Sequence, residues 1–479
     1  MPLSTQDLGV WMRGALREGE GAERVLIDPA HETPLTPFRE ASADQVSQAV
    51  ASAASALPIW AATPPTERAE VLHRLADMIA RNADHLARIE AANVGKPLSQ
   101  ALRDVGRASD YFRFYAGVCD KLNGETIPLG PDQTALTVPE PVGVTAHILP
   151  WNYPISTLAR GVAPALAAGA TVVAKPSELT PFTALEVARL ATQAGLPDGA
   201  FNVLTGGGEI GAALAGHEGI AHVTFTGATA TGRKVMQAAS SPVAGVTLEL
   251  GGKSPVIVLE DADLDAAADG VVRGIFFNAG QVCAAGARLI CARSVHDALL
   301  AKVAAKAHAM GFGDPLDDPH IGPLISSGQL ARVEGFVARA KAQGLTCVLG
   351  GARVDRPGFF FPPTIFADVP TDAEIARDEI FGPVLVTHLC DGAEDALRIA
   401  NDSPYGLVAG VYTRAHDTAL WLARKLEAGQ VFINGFLTGG DTVPFGGVKH
   451  SGIGREKGLA GLAAYLAPKS IILNHARPT

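Results

Sequence analysis

What this chain has little of already narrows its function. Its 479 residues include five cysteines: Cys119, Cys283, Cys291, Cys347 and Cys390. The set is odd and sparse and holds no CxxC pair. A disulfide scaffold, a zinc ribbon and any other metal site are therefore not expected, and a reducing, cytoplasmic setting fits. The chain lacks any uncharged apolar run of about 18 residues or more, so no membrane-spanning helix is expected. Its first residues, MPLSTQDLGVWMRGALREGE, lack the apolar stretch of a secretory signal. Basic residues are outnumbered, 39 against 49 acidic ones, giving a net charge of −10. With no long Lys/Arg run to reverse that balance, the chain is a poor binder of nucleic-acid phosphates. Charged residues are only 18% of the chain and apolar ones 47%, which excludes whole-chain disorder.

The length implies about two or three domains. Residues 42–118 carry apolar positions at three- and four-residue spacing and read as helices, broken at Pro58, at Pro64–Pro65 and at the Gly95–Lys96–Pro97 turn. Residues 122–141 have no helical period and several prolines, and read as an extended arm or hairpin. From Val142 a regular alternation begins. Strands are expected at 142–149, 170–175, 201–206, 221–227 and 246–252, with helices between them. The second half repeats the style, with strands at 286–292, 384–389, 408–413 and 430–434 between longer helices, and a final strand at 465–474. Strand–helix–strand repetition means parallel sheets covered on both faces. The fold class is α/β: two doubly wound domains plus a small β arm. Residues 1–121 and 142–251 form the first domain, 252–450 the second, and 122–141 with 465–479 the arm.

Several residues carry possible chemistry. Cys283 lies in NAGQVCAAG, a run of small residues beyond a helix that ends at Phe277. Free cysteine is usually a small buried hydrophobe. That reading holds for the other four, but Cys283 has little packing to do in such a loop, and a reactive thiol is the alternative. Glu249 stands near the end of a buried strand, where desolvation raises a carboxyl pKa toward the range useful to a general base. A strand-end glutamate held by a lysine or a backbone group is the plainer reading. Asn152, in ILPWNYP, follows the first strand of the alternation, at the edge where open α/β sheets bind ligands. It serves equally as a turn asparagine between prolines. FTGATATG, with Gly227 and Gly232, crosses a strand-to-helix turn of the kind that admits a phosphate. Lys175 and Glu178, in AKPSE, are placed to reach a ribose or to stand in a solvated loop.

Together these segments resemble the aldehyde dehydrogenase superfamily over nearly the whole chain. PWNYP (150–154), KPSE (175–178), FTGATATG (225–232), ELGGKSP (249–255), GQVCAAG (280–286), EIFGPV (379–384) and PFGGVKHSGIGRE (444–456) occur in the family's order and approximate spacing. The resemblance implies an NAD(P)-dependent, hydrolytic aldehyde dehydrogenase. In it Cys283 is the nucleophile, Asn152 and the Cys283 N–H hold the oxyanion, and Glu249 activates water. It implies cofactor contacts at Trp151, Lys175, Glu178, Gly227, Gly232, Glu379 and Phe381, with Gln329 and Arg332 on a helix near the adenosine half. NAD is expected over NADP, because Glu178 repels a 2′-phosphate. Tyr153, Arg160, Phe277 and Phe436 are the implied substrate residues. The arm implies a homo-oligomer, a dimer or tetramer.

The chain also departs from the family. Arg160 and Gly161 stand where Trp-Lys is common. The lysine invoked in a proton relay with the position of Glu456 is missing, and so is the tryptophan of a choline-type aromatic cage. Betaine aldehyde is disfavoured on that ground. Arg160 either clamps a substrate carboxylate, as in succinic semialdehyde dehydrogenases, or pairs with a protein acid. Phe277 stands where those relatives carry a second arginine, so apolar or aromatic aldehydes are favoured and semialdehydes are the alternative. Ala228 stands where serine is common in the cofactor turn. A non-catalytic relative, a coenzyme A-acylating relative and a Cys-His hydrolase are the other readings. The presence of both Cys283 and Glu249, together with the cofactor motifs, argues against all three.

Overall fold

The structure, a computed structural model, describes residues 8–475. Two sheets organise it. The first has eight strands in the spatial order 452–453, 245–249, 222–226, 144–148, 171–175, 201–203, 10–12 and 15–17. The five from 245–249 to 201–203 run parallel. The second has seven, in the order 346–349, 364–367, 384–390, 288–292, 255–258, 408–412 and 430–433, parallel except for the edge strand 346–349.

The central strands of both sheets are buried along their whole length, with apolar residues on both faces. Val172 and Ala174 point into one core with helices Pro65–Arg81, Leu98–Ala116 and Pro154–Ala168, while Val173 points into the opposite core with helix Ala43–Ala62. Likewise Leu289 and Cys291 face one core of the second sheet and Ile290 the other. This is the period-two alternation of a strand, with apolar residues on both phases.

Three features differ from the expectations. Helix Ala43–Ala62 runs through Pro58 instead of stopping there. Ala53, Ala56 and Trp60 on either side of it are buried, and Trp60 Nε1 donates to Leu166 O at 2.9 Å, so packing outweighs the lost backbone bond. Strand Pro255–Val258 lies in the interior of the second sheet although it is only four residues long. Its proline takes the first position, where a missing N–H is tolerated. The short N-terminal strands Val10–Met12 and Ala15–Arg17 extend the first sheet, and 23–28 pairs with 33–39 as a separate hairpin.

Strands Thr126–Gly130, Gln133–Pro141 and Leu466–Asn474 form a third sheet, with the last two paired over nine residues. No helix among the described residues is long and apolar enough to cross a membrane.

Candidate active site

In the first sheet, strand Val144–Ile148 lies between Thr171–Lys175 on one side and His222–Thr226 on the other. The chain order reverses there, which leaves a crevice at the carboxyl ends of the strands. PWNY (150–153), Lys175–Glu178 and Gly227–Thr231 all leave the sheet at this edge. With the Cys283 loop and the 379–381 segment of the second sheet's side, they enclose a cavity of about 980 Å³.

Cys283 reaches it through a strained turn. After helix Leu264–Phe276, Asn278, Ala279 and Gly280 have φ of +50°, +53° and +73°. A Cβ on Gly280 would lie 2.2 Å from Gly382 O, so only glycine fits. Left-handed residues in sequence cost energy, and such strain gathers at functional sites. The run of small residues was the only signal of it in the sequence. Cys283 is half-buried, and the Ala284 N–H donates toward its sulfur. Burial pushes its thiol up to about 12; Arg160 opposes this, and Glu379 and Glu249 add to it.

Asn152 is buried, and its Nδ2 donates to Gln281 O at 2.8 Å. An amide carries two N–H donors, so this bond orients the group and leaves the other donor for the cavity. Glu249 ends strand Gly245–Glu249, and its own carbonyl accepts from Gly227 N at 3.0 Å. Its side chain is buried, and neither carboxylate oxygen has a hydrogen-bond partner among the described residues. Burial, and then the charge of Glu456, hold its carboxyl well above the usual carboxylate range, against Arg160, Arg455 and Lys457. The plainer reading of Glu249, a carboxylate held by a lysine, is not what the structure shows.

Arg160 lines the cavity from helix Pro154–Ala168, and its guanidinium is ion-paired with the buried Glu456. Its Nη2 donates to Thr226 Oγ1 at 3.4 Å, and its Cζ lies 5.3 Å from the centre of the Phe445 ring. Strand 452–453 explains the pairing: it adds to the first sheet beside Leu248–Glu249 and delivers Glu456 under the helix. Gly161 also has a local cause, since a Cβ there would meet His147 Nδ1 at 2.7 Å.

On the cofactor side, Lys175 is buried, pulled down to about 8 by that burial, and donates to Pro176 O and Gly206 O at 2.9 and 2.8 Å. Its third donor remains for Glu178, 3.9 Å away, or for a ligand. Helix Thr229–Ala239 opens on the cavity without a side-chain cap, because its N-cap is Ala228. Its first two N–H groups, those of Thr229 and Ala230, make no main-chain bond, the arrangement that suits a pyrophosphate. Trp151 meets Phe381 edge-on with ring centres 5.2 Å apart. Glu379 accepts from Gly252 N at 3.1 Å, and burial raises it to about 7. Gln329 donates to Ile380 O and Phe381 O, and Arg332 to Glu379 O and Ile380 O. Both therefore fasten the 379–381 segment as well as lining the cavity.

Three predicted residues fall elsewhere. Gly232 lies inside the helix, where a Cβ would meet Leu250 Cδ2 at 2.5 Å; it serves helix–sheet packing and not phosphate approach. Phe436 is fully buried beneath the site, in a slot left by Gly274, Gly286 and Gly410, any of which would strike its ring with a Cβ. Phe277 packs on the second core outside the cavity, with Arg103 Cζ 5.1 Å from its ring centre. Aromatic character and sequence proximity to Cys283 do not separate a lining ring from a packing ring. Sequence reasoning also missed Gly208 and Glu209, which line the cavity, although the triple glycine at 206–208 hinted at a close approach.

No group of metal-ligating side chains occurs among the described residues. Comparison with known proteins agrees with the fold. The chain is 41% identical over 458 residues to a betaine aldehyde dehydrogenase of Cereibacter sphaeroides, covering 95% of each. Its structure superposes on an NAD-dependent aldehyde dehydrogenase from Sinorhizobium meliloti with a TM-score of 0.97 and 38% identity, covering 100% of this chain and 96% of that one. It is also similar to a betaine aldehyde dehydrogenase from Staphylococcus aureus, solved with NAD+ and a modified cysteine, at a TM-score of 0.95, 35% identity and 98% coverage of both chains. The family model for the aldehyde dehydrogenase family matches residues 17–471, and the chain belongs to that family.

Proposed function

We propose that this protein oxidises a neutral, apolar or aromatic aldehyde to the carboxylic acid, with NAD as the preferred acceptor and NADP as a second one. The observation that supports this most is the meeting of Cys283, a half-committed Asn152 amide and an unpartnered Glu249 carboxylate on one cavity. The residues suit a dinucleotide. The uncapped helix N-terminus would hold the pyrophosphate, Lys175 and Glu178 the adenosine ribose, and Glu379 and Phe381 the nicotinamide ribose. Bound there, the cofactor supplies the hydride acceptor.

The chain's own residues do the rest. The Cys283 thiolate adds to the aldehyde carbon, forming a C–S bond and an alkoxide. The free Asn152 N–H and the Cys283 N–H hold that oxygen, and donors of this kind contribute about 3 kcal/mol or more. After loss of hydride the acyl group remains on sulfur as a thioester. Glu249 takes a proton from water, the hydroxide adds to the thioester, and the C–S bond breaks to release acid and thiolate.

Arg160 and Phe445 bear on substrate class. The guanidinium is committed to Glu456, so Arg160 is not free to pair with a substrate carboxylate. Phe445 has Arg160 and Lys457 within 5.3 and 5.2 Å of its ring centre, so a quaternary ammonium would meet like charge there. Tyr153 and Arg160 then shape a slot for an uncharged aldehyde. The three-stranded arm supports a dimer or tetramer, and the chain would act in the cytoplasm.

The test is NADH formation with benzaldehyde, succinic semialdehyde and betaine aldehyde. We expect kcat/KM to be highest for benzaldehyde and to fall at least tenfold for NADP against NAD. A tenfold preference for either charged aldehyde overturns the substrate reading. No NADH from any aldehyde overturns the activity.

A further inference from the structure

Lys96 sits in the Gly95–Lys96–Pro97 turn between helices Ala83–Val94 and Leu98–Ala116, distant in sequence from every motif discussed above. Its side chain is only 1% exposed. Its Nζ donates to Asp104 Oδ2 at 2.5 Å and lies 3.7 Å from Glu90 Oε1. An ammonium taken from water gains little stability even when paired, and an apolar side chain of similar volume often serves as well. Pairing alone is therefore a weak reason to bury it.

Its third contact supplies a better one. Nζ also donates to the main-chain carbonyl of Asn152 at 2.8 Å and lies 4.4 Å from the centre of the Tyr153 ring. The same carbonyl accepts from Asn278 Nδ2 at 3.3 Å. Asn278 in turn is held by its N–H to Gln100 Oε1 at 3.1 Å, one turn along the helix that begins after Lys96. One helix start thus grips both sides of the proposed oxyanion site: Lys96 the Asn152 peptide and Gln100 the strained turn that carries Cys283. A charge-assisted bond to a carbonyl, inside a site closed to water, fixes a peptide plane more firmly than a neutral one.

We propose that Lys96 is a positioning residue for the oxyanion donor. Through the Asn152 carbonyl and the Tyr153 ring it sets the plane from which the Asn152 amide reaches the thiohemiacetal oxygen. This rests on the reading of Asn152 as that donor.

The experiment is the pre-steady-state NADH burst with benzaldehyde, in Lys96→Met/Asp104→Asn, which avoids leaving Asp104 as an unpaired buried charge. Asn152→Ala and the triple combination are measured beside it. We expect the burst to slow at least tenfold, equivalent to about 1.4 kcal/mol, with the Kd for NAD within twofold of wild type. We also expect the triple variant to be no slower than Asn152→Ala alone, because Lys96 acts through that residue. An unchanged burst, or a loss that multiplies with that of Asn152→Ala, overturns the proposal. A wild-type burst in Asn152→Ala overturns the reading beneath it instead. If the double variant does not fold, Lys96→Arg answers the same question. It keeps the charge and moves the donors, so it should slow the burst severalfold in the wild-type background and not in Asn152→Ala. Equal slowing in both backgrounds, or none, overturns the proposal.

Discussion

Cys283 and Glu249 pose the same protonation problem in one cavity. Burial favours the protonated form of both the thiol and the carboxyl, whereas the proposed chemistry needs a thiolate and a carboxylate. Cys283→Ala should abolish aldehyde oxidation and leave NAD binding intact, since the sulfur acts on the aldehyde alone. Turnover by the purified variant, with titration of NAD by fluorescence, checks both halves. For Glu249 the sign is clear. A base with a raised pKa is active only above it, so deacylation should fail at a pH well above the ordinary glutamate value of about 4.3. Glu249→Gln should remove that limb, lower steady-state kcat by a factor of about 100 or more and leave at most one equivalent of NADH per site. A kcat–pH profile beside a burst measurement separates these outcomes. A Gln variant at wild-type kcat would make Glu249 structural.

At the scale of elements, helix Pro154–Ala168 carries the clearest departure from the family. Gly161 looks like a lost catalytic lysine when only its own segment is read. In the fold its missing side chain leaves room for the His147 ring. Restoring the lysine should therefore restore no relay. We expect Gly161→Lys to lower stability by about 1–3 kcal/mol, the usual cost of overpacking, without raising kcat. Urea denaturation and steady-state kinetics on the same preparation test this. A stable variant with higher kcat would show that the helix tolerates the family residue and uses it.

At the scale of the whole molecule, a buried polar seam joins the first sheet to the arm. The ring of Tyr465, just before strand Leu466–Asn474, stacks on His147 at 5.7 Å and meets His222 edge-on at 5.4 Å. Its hydroxyl pairs with Thr224 Oγ1 at 2.8 Å. Burial lowers His147 to about 3 and His222 to about 4. Both are neutral when folded and protonate near pH 6.5 when unfolded. Their contribution is thus full above pH 6.5 and is lost as pH falls toward the folded values, at about 1.4 kcal/mol per unit for each. His147→Gln should flatten the fall in unfolding free energy between about pH 6.5 and 4. An unaltered slope removes His147 from the account. Deleting residues 466–475 strips strand Gln133–Pro141 of its nine-residue partner and opens its edge. The truncated protein should lose the proposed oligomer, read by light scattering on a sizing column. An unchanged mass would place the subunit contact elsewhere.

The sequence by itself determined the strand–helix alternation, because apolar strands of five to seven residues between amphipathic helices admit few folds. It also located Asn152 and Gly227 at the right edge of the first sheet, since both follow a strand directly. Helix Ser327–Ala342 and helix Ala393–Asn401 stand where their periodicity put them. Only the tertiary structure decided the remainder. Strand 452–453 returns to the first sheet by a contact some 200 residues away in sequence, and that return commits Arg160 to Glu456. Phe436 reads as a loop aromatic until three glycines, from three separate segments of the chain, are seen to fold around its ring. Lys96 reads as a turn residue until helix Leu98–Ala116 brings it under Asn152. Local pattern reports which elements form. Which charge meets which, and which ring lines a cavity or fills a core, depends on pairings between distant segments that no local window contains.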